Sequence, residues 1–244
     1  MTALFPVDLQ LYGLAAAAIF LAALAQGSTG LGFGMLAAPV LAFIDPVFVP
    51  GPLLFLAVLV SIMIALREYH AIDRAGLAYA LAGRIPASFL AGFTVAAIPA
   101  ALFGMVFALL VLTALGLSLT GWKLTPTPRN LVGAGLLSGY MGTITSVGAP
   151  PMALVYQASA GPRVRSTLGA FFVFGALVSL VALAVFGKFG WREIALSLNL
   201  LPALLLGFLA SGLVVRTLDK GRTRAAILTF CGLSSVALLV KSVA

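Results

Sequence analysis

Two stretches of this chain repeat each other without a gap. Leu24-Ala25-Gln26-Gly27-Ser28-Thr29-Gly30-Leu31-Gly32-Phe33-Gly34, continuing to Pro39, aligns on Leu136-Leu137-Ser138-Gly139-Tyr140-Met141-Gly142, continuing to Pro151. Gly27 then meets Gly139, Gly30 meets Gly142, Ala37 meets Ala149 and Pro39 meets Pro151. Glycine, proline and hydroxyl residues crowd into these segments between apolar flanks, which marks them as places where helices break. Over 244 residues the chain is 62% hydrophobic and 8% charged, with a mean hydropathy of +1.19, more apolar than a water-soluble core requires. The surrounding solvent is therefore lipid. There a broken helix survives only where its freed backbone groups are buried in protein or line a cavity. A break of that kind present twice points to a ligand site near the bilayer midplane.

Apolar stretches fall at 9–26, 28–44, 48–66, 75–98, 100–121, 130–142, 146–158, 166–187, 191–214 and 223–242. They predict an all-α, polytopic membrane protein with no separate soluble domain. The first stretch has an acidic residue, Asp8, in place of a basic leader and reads as part of the mature fold. If each Gly-rich segment makes a re-entrant pair, each half is one broken pair plus three full crossings. The halves are then a first membrane repeat over 1–121, a linker over 122–129 and a second membrane repeat over 130–244.

An odd number of crossings inserts the second half upside down, giving two inverted structural repeats. Charge agrees with that count. One side receives Arg67, Arg74, Lys123, Arg129, Arg163, Arg165, Arg216, Lys220, Arg222 and Arg224, the other only Lys188, Arg192 and Lys241, so the first side is expected to be cytoplasmic. Counting each broken unit as one crossing splits the same residues seven to six and leaves almost no orientation signal. A weaker echo, Arg84–Gly92 against Asn199–Gly207, lies in the second full crossing of each half.

Arg84 is the most informative side chain. Ten residues beyond Arg74, it lies about 15 Å deep at about 1.5 Å per residue. An arginine there costs about 2.5–3.5 kcal/mol on insertion scales unless it faces water, a partner or an anion. No acidic residue stands at comparable depth in any segment. Arg84 therefore reads as a planar donor for an oxyanion; the alternatives are that it snorkels or binds the last carbonyls of a broken helix.

The broken segments supply further candidates. Ser28, Thr29, Gly30, Gly32 and Gly34 in one copy, with Thr143, Thr145, Ser146 and Gly148 in the other, are placed to cradle an anion on free helix N–H groups. Close helix packing is the competing explanation for any one glycine. Gln26, Gln157 and Asn199 both donate and accept, and Gln26 and Asn199 join the candidate set. Pro39, Pro86, Pro151 and Pro202 read as kinks.

The lone cysteine, Cys231, excludes a disulfide and a Cys-rich metal site, and no cofactor is expected. His70, the only histidine, falls in a charged turn. Basic residues scattered at the ends of apolar runs argue for topology rather than for nucleic acid. Partners are then a small anionic substrate and the lipid bilayer; self-association stays open. An intramembrane hydrolase would need His70 near Ser28 or Ser146, and a scaffold would tolerate loss of Arg84.

This glycine-rich segment, repeated at the start of each half, resembles the TauE/SafE family, the sulfite exporter or toluene-sulfonate uptake permeases. Gly27, Gly30, Gly32, Gly34 and Pro39 follow the family pattern, as do Ser138, Gly139, Gly142, Gly148 and Pro151; the second copy has Thr143-Ile144-Thr145-Ser146 where a glycine cluster is expected. The resemblance covers essentially the whole chain. It implies a non-enzymatic secondary transporter, an exporter or permease, in the bacterial plasma (inner) membrane. Its substrate would be sulfite, an organosulfonate or a related sulfur-containing organic anion, moved by alternating access at a midplane site.

Overall fold

The computed structural model describes residues 8–29, 32–66, 69–122, 124–157, 161–214 and 220–243. Among them are ten α-helices: α1 (Leu9–Thr29), α2 (Phe33–Ile44), α3 (Gly51–Ala65), α4 (Arg74–Ala97), α5 (Ala100–Leu119), α6 (Pro128–Thr145), α7 (Ala149–Tyr156), α8 (Gly161–Val185), α9 (Trp191–Val214) and α10 (Lys220–Val243). Six segments within them are long and apolar enough to cross a membrane: Leu9–Ser28, Arg74–Ala97, Ala100–Leu119, Ser166–Val185, Trp191–Leu213 and Ala225–Ser242. The protein is a multi-pass integral membrane protein.

The breaks fall late in each repeated segment. Gly32 takes a left-handed backbone (φ 114°) just before α2, and Ser146 takes one (φ 62°) just after α6. Gly27, Gly139 and Gly142 stay helical. Each pair therefore joins a long helix to a short one, 21 residues to 12 in the first and 18 to 8 in the second. At about 1.5 Å per residue, α1 is long enough to span and α7 reaches only about 12 Å.

The second pair is an out-and-back unit. The Leu124 N–H donates to the Leu154 carbonyl (3.2 Å) and the Gln157 amide donates to the Trp122 carbonyl, so the end of α7 returns to where α6 began. Pro39, Pro86 and Pro202 lie inside helices as expected, but Pro151 belongs to the first turn of α7 and kinks nothing. In a first turn the missing N–H has no partner to lose.

Close approaches fix the relative directions. Gly135 lies against the Ala80 carbonyl and Gly139 against Arg84, so α4 and α6 run parallel. Gly207 lies against the Phe20 carbonyl and Gly27 against Ser211, so α9 and α1 do too. By contrast α3 and α8 are antiparallel, with Gly169 at Ala65 and Phe55 stacked on Phe189. The same holds for α5 and α10, where Gly104 meets Ser242 and Gly232 meets Leu115.

The register of these contacts carries the duplication into three dimensions. Val132 and Phe20, which receive Gly83 and Gly207, are 112 positions apart, as are Gly139 and Gly27. Their neighbours on α4 and α9 are instead 124 apart: Gly83 with Gly207, Arg84 with Phe208, Ala87 with Ser211. The weaker echo between Arg84 and Asn199 is thus not the packing register. It is off by nine residues, about 13 Å along a helix. The packing counterpart of Arg84 is Phe208, buried in the apolar core beside Ala23 and Leu204.

At the end of the molecule where α4 and α8 begin, Asp73 holds three elements. Its carboxylate caps α4 through the Gly76 N–H (3.1 Å), pairs with Arg163 (2.9 Å) and accepts from Tyr156 of α7 (3.3 Å), while its own N–H donates to Thr167 (3.0 Å). Burial pushes the Asp73 carboxyl up, but the Gly76 N–H, Arg163 and Tyr156 outweigh it and hold it below its ordinary value. A carboxyl with a lowered folded pKa stabilises fully above its unfolded pKa and loses that contribution as pH falls through the folded value. We expect detergent-solubilised wild-type protein to lose more Tm between about pH 6 and about pH 3 than Asp73→Asn does. Equal losses would remove Asp73 from the acid response.

Candidate functional site

The two breaks meet. Gly34, in the first turn of α2, lies directly against the carbonyl of Ser146 at the other break. Beside this contact is a cavity of about 50 Å³ lined by Gln26, Gly32, Gly34, Arg84, Ser146 and Gly148, with α3 and α8 closing it through Leu54, Ser61, Phe172 and Ala176. One water needs roughly 10–15 Å³ of such space, so there is room for a small ion.

Arg84 is 2% exposed, and the structure excludes snorkelling. Its Nη1 donates to Ser138 Oγ (2.8 Å), and Ser138 Oγ donates onward to the Gly148 carbonyl (2.6 Å), which ties the guanidinium to the start of α7. The Phe171 ring covers one face at 4.8 Å from Cζ to the centroid, a cation–π contact. Nε has no partner, and among the described residues no carboxylate pairs with Arg84. A guanidinium carries five N–H donors, so most of its capacity is unspent.

Glycine makes that placement feasible at one position in particular. Gly175 of α8 lies so close to the guanidinium that a Cβ there would overlap Nε and Cζ.

The first break adds polarity of the same sign. Gln26 Oε1 accepts from the Phe33 N–H (2.9 Å), closing the turn, while the Gly34 and Met35 amides belong to the first turn of α2, where helix N–H groups lack intrahelical acceptors. The second break is poorer in donors, because Pro150 and Pro151 occupy the first turn of α7 and carry no N–H. Gln26 and Ser138 are equivalent positions of the repeat, and each binds backbone at the start of the returning short helix.

The other candidates are placed elsewhere. Ser28 donates to Leu24 O of its own helix (2.8 Å). Thr145 donates to the Met141 carbonyl (2.7 Å) and accepts from the Val147 N–H (3.1 Å), finishing α6. Thr143 bonds Ser179 (2.7 Å). Asn199, half-buried in α9, is not among the residues lining the cavity. Gly30 and the side chain of Thr29 lie outside the described residues. His70 is exposed in a short turn before α4. Sequence reasoning missed Ser138, Phe171 and Gly175. Ser138 had a signal, since it precedes the duplicated glycine where Gln26 stands in the other copy; Phe171 and Gly175 had none, being distant in sequence from both breaks.

A family model described as Sulfite exporter TauE/SafE matches residues 15–238. The chain belongs to this family. No curated protein and no solved structure matches it. Membership in TauE/SafE supports a role in membrane transport, and the match covers both breaks and the whole environment of Arg84.

Gly175→Ala tests how Arg84 is held. Overpacking at a close contact costs about 1–3 kcal/mol, and here the movable atoms belong to the guanidinium. The substitution is expected to destabilise detergent-solubilised protein by about that amount, read as a lower Tm. An unchanged Tm would mean that the guanidinium moves aside freely and that Gly175 does not hold its position.

Proposed function

We propose that the protein is a secondary transporter for a small oxyanion, and not an enzyme, with sulfite, an organosulfonate or a related sulfur-containing organic anion as substrate. The observation that carries this reading is a buried arginine with no carboxylate partner among the described residues, on the wall of a cavity where two broken helices meet. Leaving such a charge unpaired in a membrane is costly, and an anion removes the cost. The guanidinium supplies charge and a donor fork. The first turn of α2, opposite, adds free amides and the positive end of a helix dipole. Gly32, Gly34, Ser146, Gly148 and Gln26 complete the lining in this proposal, whereas Ser28, Thr145 and Asn199 take structural roles.

Alternating access of two inverted halves is part of the proposal. Its support is that counterparts α3 and α8, and likewise α5 and α10, run antiparallel, as a two-fold axis perpendicular to them requires. The end of the molecule at Asp73 carries Arg74, Arg129 and Arg163 and is assigned to the cytoplasm. A bacterial inner membrane is the proposed location.

Flux of sulfite from loaded proteoliposomes, with wild type against Arg84→Ala, tests this function. A hydrogen bond to a charged group contributes about 1.5–3 kcal/mol. Flux is therefore expected to fall about tenfold to a hundredfold in the variant. Undiminished flux would contradict the assignment of Arg84.

A further inference from the structure

Arg84 Nε is not the only buried polar atom on α4 that lacks a partner. Ser88, one turn further on, is fully buried, and its hydroxyl makes no hydrogen bond. A serine in an apolar helix ordinarily donates to the carbonyl four residues back, as Ser179 does to Gly175 (2.9 Å). Ser88 leaves both its proton and its lone pairs unspent.

Two more hydroxyls lie at the same height. The Arg84 backbone meets Gly139 of α6, and its guanidinium meets Gly175 of α8. α4 and α8 run parallel, since Gly92 in turn meets Ala182 further along α8 and Phe186 just past its end. Four residues beyond each of the three reference positions are Ser88, Thr143 and Ser179, about 6 Å further along the bundle. Thr143 and Ser179 are also fully buried; because Ser179 gives its proton to the Gly175 carbonyl, Thr143 is the donor in their mutual bond, and Ser88 holds the unspent proton of the three. Gly142, next to Thr143, and Ala176, three residues before Ser179, line the cavity around Arg84. The hydroxyl layer thus sits one turn beyond the guanidinium, on the side away from Asp73.

We propose that Ser88, backed by the Thr143–Ser179 pair, forms a second oxyanion station through which the substrate leaves Arg84. An unspent O–H donor calls for an acceptor-rich ligand, and a nearby guanidinium repels cations. The layer carries no formal charge, so it holds an anion more weakly than Arg84 does. A transit site needs that property, because movement through a protein requires binding that is weak enough and repeated enough to release.

This inference rests on the anion-transport reading, and the test separates the two. Sulfite flux in proteoliposomes and sulfite affinity of purified full-length protein are measured for wild type, Ser88→Ala, Thr143→Val, Thr143→Ser and the Ser88→Ala/Thr143→Val pair. Turnover of the double variant is expected to fall by about tenfold while affinity, set at Arg84, changes little. Thr143→Ser, which keeps the hydroxyl, restores most of what Thr143→Val loses. Undiminished turnover overturns the station and reduces the layer to one that binds only water or nothing. A parallel fall of turnover, affinity and Tm overturns it in favour of a packing role. If wild type moves neither sulfite nor a short alkanesulfonate, the transport function falls and the station with it. If wild type moves them in an Arg84-dependent way and the hydroxyl variants do as well, only the station falls.

Discussion

A guanidinium buried where two broken helices touch, with no carboxylate beside it among the described residues, is held by neutral groups, and that sets what the surrounding helices must provide. Ser138 takes one N–H and relays to Gly148, Phe171 covers a face, and Gly175 yields the space. None of these neutralises the charge. Neutral hydrogen bonds and a cation–π contact make a buried cation tolerable, and they leave the remaining donors for a ligand. A carboxylate in the same place would give a stable internal pair and no site.

Duplication supplies the frame and asymmetry supplies the chemistry. Both long helices of the repeat receive a partner helix in the same register, through Gly83 and Gly207, and both use the residue before a glycine, Gln26 or Ser138, to secure the returning short helix. At the position matching Arg84, however, the second half has Phe208, packed in the apolar core. The charge is therefore single. Donors differ too: the first break keeps its amides, while consecutive prolines remove them from the second.

Much of this was legible in the chain, for reasons that can be named. The breaks announced themselves because glycine and proline stand out among apolar residues, and Arg84 because a charge at that depth has to be explained. Fold class followed from hydropathy alone. Register did not, because packing of α4 on α6 is set by which small residues admit a neighbouring backbone, and the similarity between 84–92 and 199–207 suggested a different alignment. The roles of the hydroxyls were less legible for a related reason. Ser28 and Thr145 looked like ligands because they sit in the repeated segments, yet each satisfies a backbone carbonyl of its own helix. Ser138, Phe171 and Gly175 act on Arg84 across contacts that no linear spacing encodes.

The claim that the unpaired guanidinium awaits an oxyanion is tested most directly by locating one. Selenite is an analogue of sulfite whose selenium scatters anomalously, so crystals of the protein grown with it report its position without interpretation of weak density. The account predicts an anomalous peak in the cavity, within hydrogen-bonding reach of the Arg84 guanidinium and facing the first turn of α2. A peak bound elsewhere in the bundle, with Arg84 still held only by Ser138 and Phe171, would contradict it.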